Sequence, residues 1–181
     1  LADMVRNGEL PPVAERTGPE PLVMQGSEKI MGNYGGTWYM LATTPEDASG
    51  VIVSRLSYAG LVRWSPQGYP IVPHLAKSWT VTADFKTWTI ILRDGLRWSD
   101  GMPFTSADIM FWWEHEGLHF ESSADGLISP AFMRHVGQYG RIEALDHLTL
   151  RFSFDEPYSL FLERLASTPE IFRPAHYLRT Y

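Results

Sequence analysis

Leu92 to Asp108 reads LRDGLRWSDGMPFTSAD, and its punctuation decides the local fold. Asp94-Gly95 and Asp100-Gly101 are tight-turn dipeptides, because glycine accepts positive φ and an aspartate side chain can bond its own backbone. Two chain reversals are therefore expected within one short run. Thr105 with Asp108 three residues later resembles a capping box, Asp standing in for the usual Glu or Gln, and the apolar run Ile109-Met110-Phe111-Trp112-Trp113 follows. The pattern predicts a helix starting at Ser106. It is apolar nearly all round, so it should be buried on more than one side, as a helix covering a sheet is. Gly117 is its predicted stop.

Working outward, Ser78-Trp79-Thr80-Val81-Thr82 and Thr87-Trp88-Thr89-Ile90-Ile91-Leu92 both alternate polar and apolar. Period two predicts half-buried strands. Ala83-Asp84-Phe85-Lys86 has the length of a hairpin loop, so the pair is antiparallel and Trp79 and Val81 share a face with Trp88, Ile90 and Leu92. On the other side, Gly117 to Gly140 is rich in Gly and Ser. Leu148-Thr149-Leu150-Arg151-Phe152-Ser153-Phe154 then alternates most cleanly and predicts a third strand, and Tyr158 to Ala166 carries Leu160, Phe161, Arg164 and Leu165 at helical spacing.

Toward the start, Pro11-Pro12, Gly18-Pro19 and Pro21 permit only a short helix near Ala2–Asn7, followed by extended chain that should lie as an arm over something else. Thr37-Trp38-Tyr39-Met40-Leu41 is β-rich, Val51-Ile52-Val53 opens an apolar segment, and Ser54 to Leu61 suits a short helix. The apolar tail around Ile171-Phe172 and Tyr177-Leu178 leads us to expect a fragment of a longer chain.

The 181 residues suffice for one well-filled core. A 44% hydrophobic and 20% charged composition is that of a globular protein, with no run of the about 18 apolar residues that a membrane span needs. A net charge of −6, with Lys and Arg scattered singly, leaves no basic field for nucleic acid. Zero cysteines exclude disulfides, thiolate nucleophiles and cysteine-based metal sites.

One catalytic motif stands out. His115-Glu116-Gly117-Leu118-His119 matches H-E-x-x-H, in which two histidines one helical turn apart bind zinc and the glutamate acts as general base. Gly117 sits where a continuous helix is required, and no third histidine follows at the extended spacing. Glu143, Asp146 or His147 have no spacing that recommends them as a third ligand. A zinc-dependent hydrolase is therefore the alternative reading, and no metal or cofactor is expected. Neither a G-x-S-x-G elbow nor a phosphate-binding glycine loop is present. Asp100 with Asp108 is explained by a turn and a cap, and Glu114 with Glu116 by a polar helix end.

Pro73-His74-Leu75-Ala76-Lys77-Ser78-Trp79, the strand and double turn Trp88 to Gly101, and Pro103-Phe104-Thr105-Ser106-Ala107-Asp108-Ile109 together resemble the solute-binding proteins of bacterial ABC importers for oligopeptides and dipeptides (extracellular solute-binding family 5). Leu148–Phe154 with Glu156-Pro157-Tyr158, and Pro174-Ala175-His176-Tyr177-Leu178, extend the resemblance to about residues 34–178. It implies a mixed α/β (α+β) fold: part of a periplasmic-binding-protein-like class II fold, an antiparallel or mixed sheet with covering helices, the second lobe absent. Residues 1–33 would be an N-terminal arm, 34–60 and 165–181 parts of the first ligand-binding lobe, and 61–164 its accessory subdomain. The implied function is capture of an oligopeptide, an oligosaccharide or a similar extended solute between two lobes for delivery to a membrane permease, without enzymatic chemistry. The protein would be monomeric and periplasmic or otherwise extracytoplasmic, with or without a lipid anchor. Val53, Ser54 and Tyr58, in the segment that resembles the border of the family's cleft, are the expected ligand-binding residues. Where the family often has Asp-Gly in the first hairpin, this chain has Asp84-Phe85.

Overall fold

In a computed structural model of the chain, the described residues are 2–23, 35–37, 39, 41–47, 59–122, 130–168 and 170–180. Among them, eight short strands form three antiparallel sheets with helices packed on one side. Strands β3 (Ala76–Val81), β4 (Thr87–Leu92), β7 (Arg141–Ala144) and β8 (Thr149–Ser153) make the largest sheet, in the order β3-β4-β8-β7. Two small hairpins flank it: β1 (Val62–Trp64) with β2 (Ile71–Pro73), and β5 (Arg134–His135) with β6 (Gln138–Tyr139).

The register follows from the alternation. Trp79 pairs with Ile90 and Val81 with Trp88 across β3 and β4; Trp88 pairs with Phe152 and Ile90 with Leu150 across β4 and β8. Trp88, Ile90, Leu92, Leu150 and Phe152 are all buried, whereas Thr89, Ile91, Thr149 and Arg151 on the opposite face are half-buried. Each fully buried large apolar side chain contributes about 1.5–3 kcal/mol, so slipping the register by one residue would forfeit the whole set. Val81 is 39% exposed because β3 is an edge strand.

The loop of the β3–β4 hairpin replaces the glycine device with another. Phe85 itself adopts φ of 55°, the left-handed conformation that glycine would take most easily, while the Asp84 carboxylate accepts from the Thr82 hydroxyl at 2.6 Å and the Lys86 N–H at 3.1 Å.

The double turn forms as its sequence dictates. Gly95 and Gly101 have φ of 77° and 88°; the Asp94 carboxylate accepts from Gly95 N–H at 2.8 Å and that of Asp100 from Met102 N–H at 3.0 Å. The helix begins at Ser106 with both halves of the capping box made: the Thr105 hydroxyl oxygen accepts from Ala107 N–H, and the Asp108 carboxylate accepts from Thr105 N–H at 2.9 Å.

With the short helices α1 (Ala2–Arg6) and α2 (Val13–Arg16) ahead of it, this central helix is α3 (Ser106–His115). Ile109, Phe111, Trp112 and Trp113 are buried, as an all-round apolar helix requires. Helix α4 (Phe161–Ala166) sets Phe161 against Trp88, Phe152 and Phe154, with ring centroids 5.1–5.6 Å apart.

Several expectations are corrected. Helix α2 follows Pro11-Pro12, where extended chain was expected: proline fits the first turn of a helix, and Glu15 N–H bonds the Pro12 carbonyl at 3.0 Å. Arg164 lies on the exposed side of α4, and Leu160, 57% exposed, precedes the helix. Residues 130–140 contain the β5–β6 hairpin, and β7 pairs with β8, where only loop was expected. Thr37, Tyr39 and Leu41 belong to no strand, and residues 59–61 are not helical; Trp38, Met40 and Val51 to Tyr58 lie outside the described residues. A β-prone run without a partner strand gains no ladder bonds.

The N-terminal arm lies against the double turn. Glu20 pairs with Lys77 and accepts from Asp94 N–H at 3.1 Å, and a Cβ at Gly95 would stand 2.3 Å from Pro19 Cδ.

Candidate ligand-binding site

Val53, Ser54 and Tyr58 lie outside the described residues, so the geometry on view is the junction into which their segment runs. Gly60 and Leu61 are clamped to the Pro73-His74-Leu75-Ala76 stretch. The Gly60 carbonyl accepts from Leu75 N–H at 3.3 Å and from His74 Nδ1 at 3.0 Å; the Leu61 carbonyl accepts from His74 N–H at 3.2 Å and Ala76 N–H at 2.8 Å. A Cβ at residue 60 would sit 2.9 Å from the Val62 carbonyl oxygen, so only glycine fits without a shift.

The electrostatics keep that clamp in one form. Burial lowers the His74 pKa, opposed by the Gly60 carbonyl and assisted by the charges of Arg63 and Arg93, which favours the neutral ring, and facing a carbonyl oxygen Nδ1 is the donor. The Arg93 guanidinium caps the His74 carbonyl at 2.7 Å. On the neighbouring side, Trp64 Nε1 donates to the Ser167 hydroxyl at 3.2 Å, and the Thr168 carbonyl lies 3.8 Å from the Cβ position of residue 60. Residues just before β1 and just after α4 thus meet at one place, although they are far apart in sequence. No sequence periodicity marks this meeting; the glycine at 60 is its one local sign.

The zinc motif does not assemble. Helix α3 ends at His115, and residues 117–122 continue as 3-10 helix, so His119 is not one α-helical turn from His115. His115 stacks on Phe111 with centroids 4.1 Å apart and donates from Nδ1 to the Phe111 carbonyl at 2.9 Å. Glu116, the would-be base, forms an ion pair with Arg173 at 2.7 Å. Gly117 is required for packing, since a Cβ there would meet the Trp113 ring at 2.4 Å. Among the described residues, no three metal-ligating side chains converge.

The paired carboxylates are structural too. Asp100 accepts from His176 Nε2 at 2.7 Å, and its pKa is lowered first by that bond and then by the Met102 N–H. Asp108 is 3% exposed; beside its cap bond, it accepts from Ala175 N–H at 3.0 Å, while its backbone carbonyl accepts from Arg173 N–H at 3.1 Å. It therefore ties the start of α3 to helix α5 (Ala175–Leu178).

The sequence pattern described as "Bacterial extracellular solute-binding proteins, family 5 Middle" matches residues 70–177, which contain the double turn, the capping box and Pro174 to Tyr177. The chain belongs to this family. It is 30% identical over 174 residues to the periplasmic alpha-galactoside-binding protein of Rhizobium meliloti (strain 1021), covering 85% of this chain and 24% of the relative. To the periplasmic oligopeptide-binding protein OppA of Escherichia coli (strain K12) it is 32% identical over 133 residues, 72% of this chain and 22% of that protein. A solved structure of an oligopeptide-binding protein OppA superposes with a TM-score of 0.73 at 36% identity, over 98% of this chain and 27% of that one. The chain thus spans about a quarter of the length of these relatives, and its mixed α/β fold with antiparallel sheets is part of the solute-binding fold.

Proposed function

We propose that the whole protein is the substrate-binding component of an ABC importer, which captures an oligopeptide or a similar extended solute between two lobes and hands it to a membrane permease. The observation that carries this reading is the family match over residues 70–177, in which every turn and cap described above falls. The protein is a binding protein rather than an enzyme: it works by backbone hydrogen bonding to an extended ligand, which gives affinity without strict side-chain choice. It acts outside the cytoplasm, as the names of its relatives as periplasmic proteins support, and we place it there as a monomer, with or without a lipid anchor.

In this reading residues 1–33 are an arm, 34–60 and 165–181 belong to the first ligand-binding lobe, and 61–164 form its accessory subdomain. The approach of residue 60 to Thr168 supports joining the two lobe segments. Val53, Ser54 and Tyr58 border the cleft, and the clamp on Gly60 and Leu61 supports them by fixing where their segment ends. Calorimetric titration of the full-length protein with a mixed tripeptide library tests this. Tyr58→Ala should weaken binding at least about tenfold, as loss of one desolvated aromatic contact does; unchanged affinity would remove Tyr58 from the cleft. The alpha-galactoside-binding relative favours a second reading, an oligosaccharide. Titration with a trisaccharide alpha-galactoside separates the two.

A further inference from the structure

The β5–β6 hairpin stands against the chain that enters α4. His135 lies flat on the Tyr158 ring, with centroids 4.1 Å apart and planes 6° from parallel, and its Nε2–H donates to the Pro157 carbonyl at 2.8 Å. These contacts fix the two walls of a groove with a volume of about 390 Å³, lined by Arg134, Val136, Tyr158, Ser159, Leu160 and Arg164 among others. That size falls in the usual range of small-ligand pockets.

Its charge is opposite to that of the chain. The formal net charge is −6, yet the groove's lining holds two arginines and no carboxylate. Both arginines are exposed, and neither guanidinium has a hydrogen-bond or ion-pair partner among the described residues. Nearby acids are otherwise placed. Asp155 pairs with Arg141 at 3.0 Å, Glu156 lines a smaller neighbouring cleft that shares His135 and Val136, and Glu163 has its Oε2 buried and does not line the groove. Burial raises the pKa of the Tyr158 phenol, opposed by the nearby positive charge of Arg164.

Two apolar side chains of the same lining are open to solvent. Val136 is 69% and Leu160 57% exposed. Leu160 and Arg164 lie one helical turn apart, linked by the Arg164 N–H to Leu160 carbonyl bond at 3.1 Å, so they present an apolar and a cationic group side by side. Arginine's fixed fork of donors suits a carboxylate held through both oxygens.

We propose that this groove is an anion-accepting site that takes a carboxylate attached to an apolar group, either a free acid or the C-terminus of a peptide. Arg134 and Arg164 hold the carboxylate, Tyr158 and Ser159 offer hydroxyls, and Val136 and Leu160 cover the apolar part. The site does not depend on the importer reading, and it is tested independently of cleft occupancy.

The test is site-resolved arginine modification. Full-length protein is treated with phenylglyoxal, and modification of each arginine is followed by peptide mass spectrometry. N-acetyl-leucine should slow modification of Arg134 and Arg164 saturably, by at least about threefold, while Arg97 is unaffected. Acetate, which has no apolar part, should protect less, and N-acetyl-leucinamide, which has no carboxylate, not at all. Protection by N-acetyl-leucine alone marks a free-acid site; stronger protection by acetyl-Ala-Ala-Leu marks a peptide C-terminus. Leu160→Asp, at an exposed position, should abolish the protection. Equal protection of all arginines, protection by the amide, or none at Arg134 and Arg164 would overturn the proposal.

Discussion

Asp108→Ala should loosen the fold at two places at once. The carboxylate is 3% exposed and serves two backbone donors, Thr105 N–H at 2.9 Å and Ala175 N–H at 3.0 Å. Bonds to a charged acceptor contribute about 1.5–3 kcal/mol each, and a buried donor left without a partner costs about 1–3 kcal/mol. Thr105 is only partly buried and water can reach its N–H, so the full cost falls on Ala175 and the total is about 3–5 kcal/mol. At about 1.4 kcal/mol per tenfold, local protection against amide hydrogen exchange should fall by a factor of about 10² to about 4 × 10³. Exchange of the full-length protein, read by mass spectrometry on peptides covering 103–108 and 172–178, measures both ends together. Thr105→Ala is the internal comparison: it removes only the cap hydroxyl and should cost about 1 kcal/mol, confined to the first peptide. If Asp108→Ala cost no more than Thr105→Ala, or left residues 172–178 as protected as before, the bridging role would be refuted.

Other perturbations separate the remaining contacts. Gly95→Ala combines a strained φ of 77° with a clash against Pro19, so it should release the arm and speed tryptic cleavage after Arg16, whereas Gly101→Ala, at φ of 88° with open space around it, should cost only backbone strain and leave that cleavage rate unchanged. Acidification tests the Asp100–His176 contact: a carboxylate with lowered pKa contributes stability above its ordinary value of 3.8 and loses it as the pH falls through the lowered one, so His176→Ala should move the Asp100 midpoint upward in a carbonyl NMR titration, and an unmoved midpoint would refute the bond. His119→Ala should leave both solute binding and metal content of the full-length protein unchanged; loss of a bound zinc ion would instead revive the hydrolase reading.

Much of this fold was legible because its signals are local. Each Asp-Gly dipeptide, the Thr105–Asp108 box and the alternation in β4 and β8 need only a few neighbouring residues to be read, and all appear where the pattern puts them. Strand β7 was hidden because an edge strand with one buried residue, Ile142, shows no alternation, and β5 and β6 are too short for any period. The contacts of Asp108 with Ala175 and of Asp100 with His176 cross 67 and 76 residues, so the same side chains that read as a cap and a turn also read, wrongly, as their whole role. The groove at Arg134 and Arg164 was illegible for the same reason: two single arginines 30 positions apart come to line one groove only when the hairpin docks on Tyr158. Of the cleft, the sequence yielded Val53, Ser54 and Tyr58 by resemblance alone, and the clamp at Gly60 is the physical feature beside them.

Native mass spectrometry of the full-length protein, purified gently from its source, tests the central claim most directly by weighing whatever it carries. The account predicts added mass in the range of short peptides or an oligosaccharide, released on mild unfolding. A bare chain in every preparation, or one zinc ion and no organic mass, would contradict it.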